Sequence, residues 1–150
     1  MSETRQRDVT VELCLRSSAP SVARGRQETV RERVEALDED DAVADATVNY
    51  WSTRVCMPDN GSGPADRCPR VVGEILEVAR ERGVSVEPYF RSRAASHDDD
   101  ERVLFLPVIC LLVRCDGDLC GLYPVTKGDQ RYTVEDGIER LEAGEDPTNI

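Results

Sequence analysis

Three cysteines in the last third of the chain, Cys110, Cys115 and Cys120, stand at intervals of five residues and could carry thiol or metal chemistry. A tight zinc knuckle uses two cysteines separated by about two to four residues, plus a second such pair. The spacing here, C-x4-C with a third thiol further up the strand, approximates that only in part. Asp116-Gly117, lying between Cys115 and Cys120, is a hairpin signal. A two-residue turn would set Cys115 against Asp118, whereas a four-residue loop would set Cys115 against Cys120 within bonding range. Structural thiols are therefore the default expectation. A redox pair or a metal contact built from Cys110, Cys115 and Cys120 is the alternative.

Anion or nucleic-acid contact has two candidate carriers. The first is Tyr89-Phe90-Arg91-Ser92-Arg93, at the end of an expected strand. Arginine forks grip phosphate oxygens in pairs, and aromatic rings stack on bases. Arg91 and Arg93 are the expected phosphate contacts, and Tyr89 shares Arg91's face. The second carrier is a helical segment with Arg24, Arg26, Arg31 and Arg33, of which Arg31 is the most central. Glu28, Glu32 and Glu35 interleave there, so Glu28–Arg31 and Arg31–Glu35 are expected to pair on a solvated face. His97, the single histidine, stands in Ser-His-Asp-Asp-Asp-Glu. Such a run could gather a hard cation or supply a base, but adjacent acids have no fixed geometry and read as a solvated loop. No GxGxxG, Walker, HExxH or GxSxG pattern occurs. A lone histidine without a nucleophile in a defined elbow makes no triad. No catalytic residue and no cofactor is assigned, and the expected class is non-enzymatic.

The elements that must hold these residues follow from periodicity. Val9, Val11, Leu13 and Leu15 alternate with polar partners, the pattern of a half-buried strand. Ser-Ser-Ala-Pro-Ser turns the chain into a helix over about 24–37, with Val30, Val34 and Leu37 as its apolar stripe. A strand is expected over 46–56, and its apolar parity shifts between Tyr50 and Trp51, the signature of a bulge. Helix 65–82 buries Val72, Ile75, Leu76 and Ala79, and Gly83 stops it. A strand then covers 84–90. The run 103–113 is apolar at both parities, which predicts a central strand covered on both sides. Pro107 interrupts its ladder, since proline donates no hydrogen bond. A hairpin partner covers 119–123. Thr133-Val134-Glu135-Asp136 opens a last helix as a capping-box variant, and Gly144 ends it. The order β-α-β-α-β-β-β-α predicts an α+β fold: a two-layer sandwich with a mixed sheet of about five strands and two to three helices, most simply on one face. Residues 8–144 form the expected single domain, between a disordered N-terminus (1–7) and a disordered tail (145–150).

Composition sets the environment. Thirty acidic residues face nineteen basic ones, giving a net charge of -11 on 150 residues, and Lys127 is the only lysine. Such a chain repels itself in dilute buffer. At 1 M salt the Debye length falls to about 3 Å and the penalty disappears. Acid-rich, lysine-poor surfaces suit a molar-salt cytosol, so an extreme halophile is the expected source. No apolar run reaches membrane-spanning length, and the N-terminal Met-Ser-Glu-Thr-Arg-Gln-Arg-Asp has no apolar signal region. The expectations are a cytoplasmic location, no membrane partner and reduced thiols.

The ordered segments VELCLRSSAP, RQETVRERVEAL, VNYWSTRV, VSVEPYFRSR, LPVICL and YTVEDGIERLEAG resemble a small family of haloarchaeal proteins labelled as helix-turn-helix domain proteins. The resemblance covers about residues 8–143, and EPYFRSR, the Leu-Pro-Val strand and TVEDG are its most specific parts. It implies a haloarchaeal origin and a role in transcriptional regulation with DNA as partner. It carries over no site residue. A helix-turn-helix needs two helices joined by three or four residues, and the expected elements contain no such pair. The competing class is a protein-interaction or small-ligand sensing module, with homo-oligomerisation through a strand edge.

Overall fold

A computed structural model describes residues 8–58, 70–87, 89–94 and 101–150. The elements run β1 (Val9–Arg16), α1 (Ser21–Glu39), β2 (Asp45–Trp51), β3 (Arg54–Pro58), α2 (Arg70–Arg82), β4 (Arg91–Ala94), β5 (Glu101–Phe105), β6 (Ile109–Cys115), β7 (Asp118–Tyr123), β8 (Val125–Lys127), β9 (Gln130–Tyr132) and α3 (Val134–Ala143). Four strands make a mixed sheet in the order β2-β1-β6-β7, a second sheet has the order β3-β5-β4, and β8-β9 form a hairpin. β1 and β2 are parallel, joined through α1, while β1·β6 and β6·β7 are antiparallel. This is the α+β class expected from the pattern, with three helices and a mixed sheet.

Side-chain alternation divides the core into two. Val11, Leu13 and Leu15 of β1 join Ile109, Leu111 and Val113 of β6 and Tyr123 of β7 against Val30, Val34 and Leu37 of α1 and Ile138 and Leu141 of α3. The opposite parity, Cys14, Cys110, Leu112 and Leu122, meets Val72, Ile75 and Ala79 of α2 together with Trp51, Phe90 and Leu104. The expectation of helices on one face holds for α1 and α3, whereas α2 covers the other face. That second layer is why β6 is apolar at both parities, with Ile109 to Val113 all buried.

The two irregularities read from sequence turn out to be one feature. The expected strand 46–56 is two strands, and the expected bulge at Tyr50/Trp51 is a break between sheets. The run 103–113 likewise divides at Leu106-Pro107-Val108 into β5 and β6. The breaks face each other: the Leu106 N–H donates to Thr53 O at 2.9 Å, and the Trp51 indole N–H donates to Pro107 O at 3.1 Å. Beyond them the chains pair again, with Arg54 opposite Phe105. Because proline cannot donate to a ladder, both strands leave the central sheet at the same level and start a second one.

The strand expected over 84–90 is not one. Ser85 makes only an isolated bridge to Thr126, and the pairing strand starts at Arg91. Phe90 instead caps the core, edge-on to Trp51 with ring centroids 5.9 Å apart.

α3 begins as expected. The Thr133 hydroxyl accepts from the Asp136 N–H at 3.1 Å, the Asp136 carboxylate accepts from the Thr133 N–H at 2.8 Å, and Gly144 ends the helix at φ 72°. Gly137 faces the Tyr123 ring so closely that an added Cβ would lie 2.7 Å from it. The residues after Gly144, for which the sequence suggests a disordered tail, run along β7. Asn149 is buried and its side chain pairs with both the N–H and the C=O of Leu122 at 2.9 and 2.8 Å. No helix among the described residues is long and apolar enough to cross a membrane.

Candidate anion-binding site

The parallel pair β1·β2 creates one distinctive end of the sheet. After β1 the chain crosses one face as α1, and after β2 it leaves the sheet at Ser52-Thr53 and enters β3 of the second sheet. Crevices at the carboxyl ends of strands are the usual ligand sites of open α/β sheets. A pocket of about 370 Å³ lies there, lined by Leu15, Arg16 and Ser17 from the end of β1, Tyr50 from the end of β2, and Arg24, Gln27, Glu28 and Arg31 from one flank of α1. The helical spacing of 24, 27, 28 and 31 places those four on a single stripe.

Backbone carbonyls fix the floor. Arg16 donates from Nε to Ser18 O at 2.8 Å and from Nη1 to Leu106 O at 3.2 Å. The Gln27 amide donates to Arg16 O at 3.1 Å and to Val108 O at 2.8 Å, pinning α1 to the turn between β5 and β6. Arg24 donates from Nε to Ala19 O at 3.2 Å. Among the described residues neither Arg16 nor Arg24 has a carboxylate partner. Arg31 binds Glu28 at 2.9 Å, as the i,i+3 spacing suggests, and reaches the Tyr50 hydroxyl at 3.5 Å rather than Glu35. The Arg31 Nε is shielded from water and has no acceptor. The cleft thus brings together three guanidiniums and one carboxylate in a chain whose net charge is -11.

Of the arginines picked out by sequence, Arg24 and Arg31 of the helical segment line this cleft, and Arg26 and Arg33 do not. Arg91 is exposed on β4, opposite Phe105 at the edge of the second sheet. Arg93 pairs with Val103 in the same ladder, and its side chain lies outside the described set. Tyr89 is partly buried and packs against the core cluster that holds Trp51, Phe90 and the α2 residues. His97 and its acidic neighbours at 98–100 are also outside the described residues. Arg16 escaped sequence reading, and so did the meeting of Arg24 and Arg31 with Arg16 and Tyr50, because their convergence depends on the parallel pairing of β1 with β2.

The three cysteines do not converge. Cys115 and Cys120 form a disulfide, with Cα atoms 5.9 Å apart. The turn is the two-residue type, Cys115 opposite Asp118, with φ 55° at Asp116 and 92° at Gly117. The expectation that such a turn separates the two thiols fails because Arg114 pairs with Leu119 and Val113 with Gly121. Cys120 is the extra residue of a bulge, and the bulge turns it towards Cys115. Cys110 instead lies opposite Cys14 on the inner strands, and both thiols are free and buried. Burial raises the Cys14 pKa to about 12, with the Glu12 charge adding to the shift, and pushes Cys110 well above its usual value. No group of three or more metal-ligating side chains occurs among the described residues.

The family description "Helix-turn-helix domain" matches residues 3–146. The chain belongs to that family. No curated protein and no solved structure matches it. The family's motif is two helices joined by a tight turn, and among the described residues no helix follows another without an intervening strand. α1 and α3 touch side by side through Arg26–Glu135 and Arg33–Glu142 ion pairs at 2.8 and 2.7 Å, but they are far apart in sequence.

Proposed function

We propose that this helix-turn-helix family member is a non-enzymatic regulatory module whose partner is anionic, with DNA the partner that family membership favours. The observation that carries the reading is the arginine cleft at the carboxyl ends of β1 and β2, where Arg16 and Arg24 hold charge that no carboxylate among the described residues neutralises. Arginine forks of that kind grip phosphate oxygens in pairs. α1 lies flat on the sheet, so contact is with the phosphate backbone and not by a helix inserted in a groove. Arg91 and Arg93, on the edge strand β4 of the second sheet, are a separate pair of proposed phosphate contacts. The acid-rich, lysine-poor shell supports a high-salt cytoplasm, and a haloarchaeal one, as the setting.

Anisotropy titration with duplex DNA over a KCl series tests this. Each lost phosphate contact flattens the log–log salt dependence by about 0.9, so Arg24→Ala/Arg31→Ala should reduce the slope by about 2. Arg91→Ala/Arg93→Ala should reduce it similarly. No retardation of any DNA at 0.1 M KCl, with the chain folded, removes DNA as the partner.

A second reading is a small-ligand sensing module. Its support is concavity: the open cleft is flanked by Tyr50 on one side and α1 on the other, and its volume falls in the range of small-molecule sites.

A further inference from the structure

We infer that the cleft binds a small phosphomonoester carrying a planar ring, the chemistry of a nucleoside monophosphate; this deepens the sensing reading and rests on it. Charge is the first argument. Arg16, Arg24 and Arg31 against Glu28 leave the cleft with two positive charges more than negative ones, and a phosphomonoester carries about -1.5 to -2 at pH 7. The match is closer than for a single carboxylate.

Unused donors are the second argument. Arg16 has committed Nε and Nη1 to carbonyls, and among the described residues its Nη2 has no acceptor. Arg24 has committed only Nε, so among the described residues neither of its terminal nitrogens has an acceptor. Arg31 keeps an Nε–H with no acceptor and holds Tyr50 only at the limit of hydrogen-bond distance. A shielded donor without a partner is uncommon in a folded protein. An oxyanion in the cleft supplies acceptors to the uncommitted terminal nitrogens of Arg16 and Arg24, beside the charge of Arg31. The carbonyl contacts of Arg16 and Arg24 already hold those guanidiniums in place, so little ordering is left to be done on binding.

Aromatic exposure is the third. Tyr50 is 57% exposed, one of two large hydrophobic side chains so displayed among the described residues, and it lines the same cleft. A ring at the mouth of an anion site offers a stacking face to a base. The pocket, about 370 Å³, is within the usual range for small-ligand sites. The backbone of the ligand class is therefore set by two separated features, a guanidinium cluster and one open aromatic ring.

Isothermal titration with AMP, adenosine, inorganic phosphate and citrate, in KCl buffer where circular dichroism shows the folded chain, provides the test. AMP should bind saturably, phosphate more weakly, and adenosine not at all. Arg24→Ala/Arg31→Ala should weaken AMP at least tenfold, whereas Arg26→Ala/Arg33→Ala, on the other flank of the same helix, should leave it unchanged. Tyr50→Ala should weaken AMP and spare phosphate. AMP binding no tighter than phosphate overturns the ring; citrate binding without AMP or phosphate overturns the phosphomonoester and leaves a small-anion sensor. No saturable binding of any of the four overturns both the inference and the sensing reading. Equal loss in the two double variants reduces the effect to overall charge and also overturns the inference.

Discussion

The two flanks of α1 carry the same residue type and use it in opposite ways. On the α3 flank, Arg26 and Arg33 each meet a glutamate of the neighbouring helix through paired hydrogen bonds, Glu135 and Glu142. On the β2 flank, Arg24 and Arg16 meet only carbonyls, and Arg31 shares one glutamate with a tyrosine. The first flank is closed, its charge cancelled across a helix–helix seam. The second is open. In a chain with thirty acidic residues, carboxylate is abundant, and the lack of one beside Arg16 and Arg24 among the described residues is what makes that sheet end the candidate site. A count of arginines along the helix does not distinguish the flanks; the neighbour on each side does.

The comparison breaks hardest where the closed flank rests on the sheet. Gly137→Ala places a Cβ against the Tyr123 ring and should cost roughly 1–3 kcal/mol by overpacking. Urea unfolding measures that loss, and anion binding by the remaining folded protein should be unaltered. A loss below about 0.5 kcal/mol would mean that α3 is free to shift away from Tyr123.

A third use of arginine sharpens the contrast from the opposite face. Arg114 makes paired hydrogen bonds to Glu74 of α2 at 2.6 and 2.8 Å and lies 3.5 Å from Glu12. Arg114→Met leaves those two glutamates without their cation and should destabilise by about 1–2 kcal/mol, a figure reduced for the partial exposure of the pair. The open flank should again be unaffected.

Acid acts on the same closed contacts. Hydrogen bonds from Arg114, Arg26 and Arg33 hold Glu74, Glu135 and Glu142 below the ordinary carboxylate range. Their contribution is therefore fully present above the unfolded pKa of about 4.3 and is lost as pH falls through the lower folded values. Stability measured from pH 7 to 3 should fall chiefly below pH 4.3, and Arg114→Met should flatten that decline.

Smaller effects separate the flanks directly. Arg26→Ala or Arg33→Ala should each cost about 0.2–1 kcal/mol, as exposed pairs do, while Arg24→Ala should leave the unfolding midpoint where it was. Equal destabilisation by both sets would erase the distinction. The thiols give the last check: with reductant absent, alkylation of the native chain should spare Cys14 and Cys110, whose raised pKa keeps them protonated.

Much of the frame was legible in the residues. Alternation over Val9–Leu15 marks β1, the stripe Val30-Val34-Leu37 marks the buried face of α1, and Thr133 with Asp136 and Gly144 bounds α3, because these signals lie within a few residues of the atoms they organise. Even Pro107 and the parity change at Tyr50/Trp51 were visible as irregularities. That they are two sides of a single break was not, since nothing in either segment names the other as its partner. Cys115–Cys120 was hidden for a similar reason. Turn chemistry predicts the register next to the turn, but the bulge that turns Cys120 is set further along the ladder, where Val113 meets Gly121.

The sequence by itself determined the periodic elements, the α+β class and an acidic shell, because helix caps, strand alternation and net charge are local or additive properties. Only the tertiary structure decided which arginines are neutralised and which are left open. An ion pair depends on distances of a few ångströms between residues such as Arg26 and Glu135, and those distances exist only once α1 and α3 lie together on one sheet.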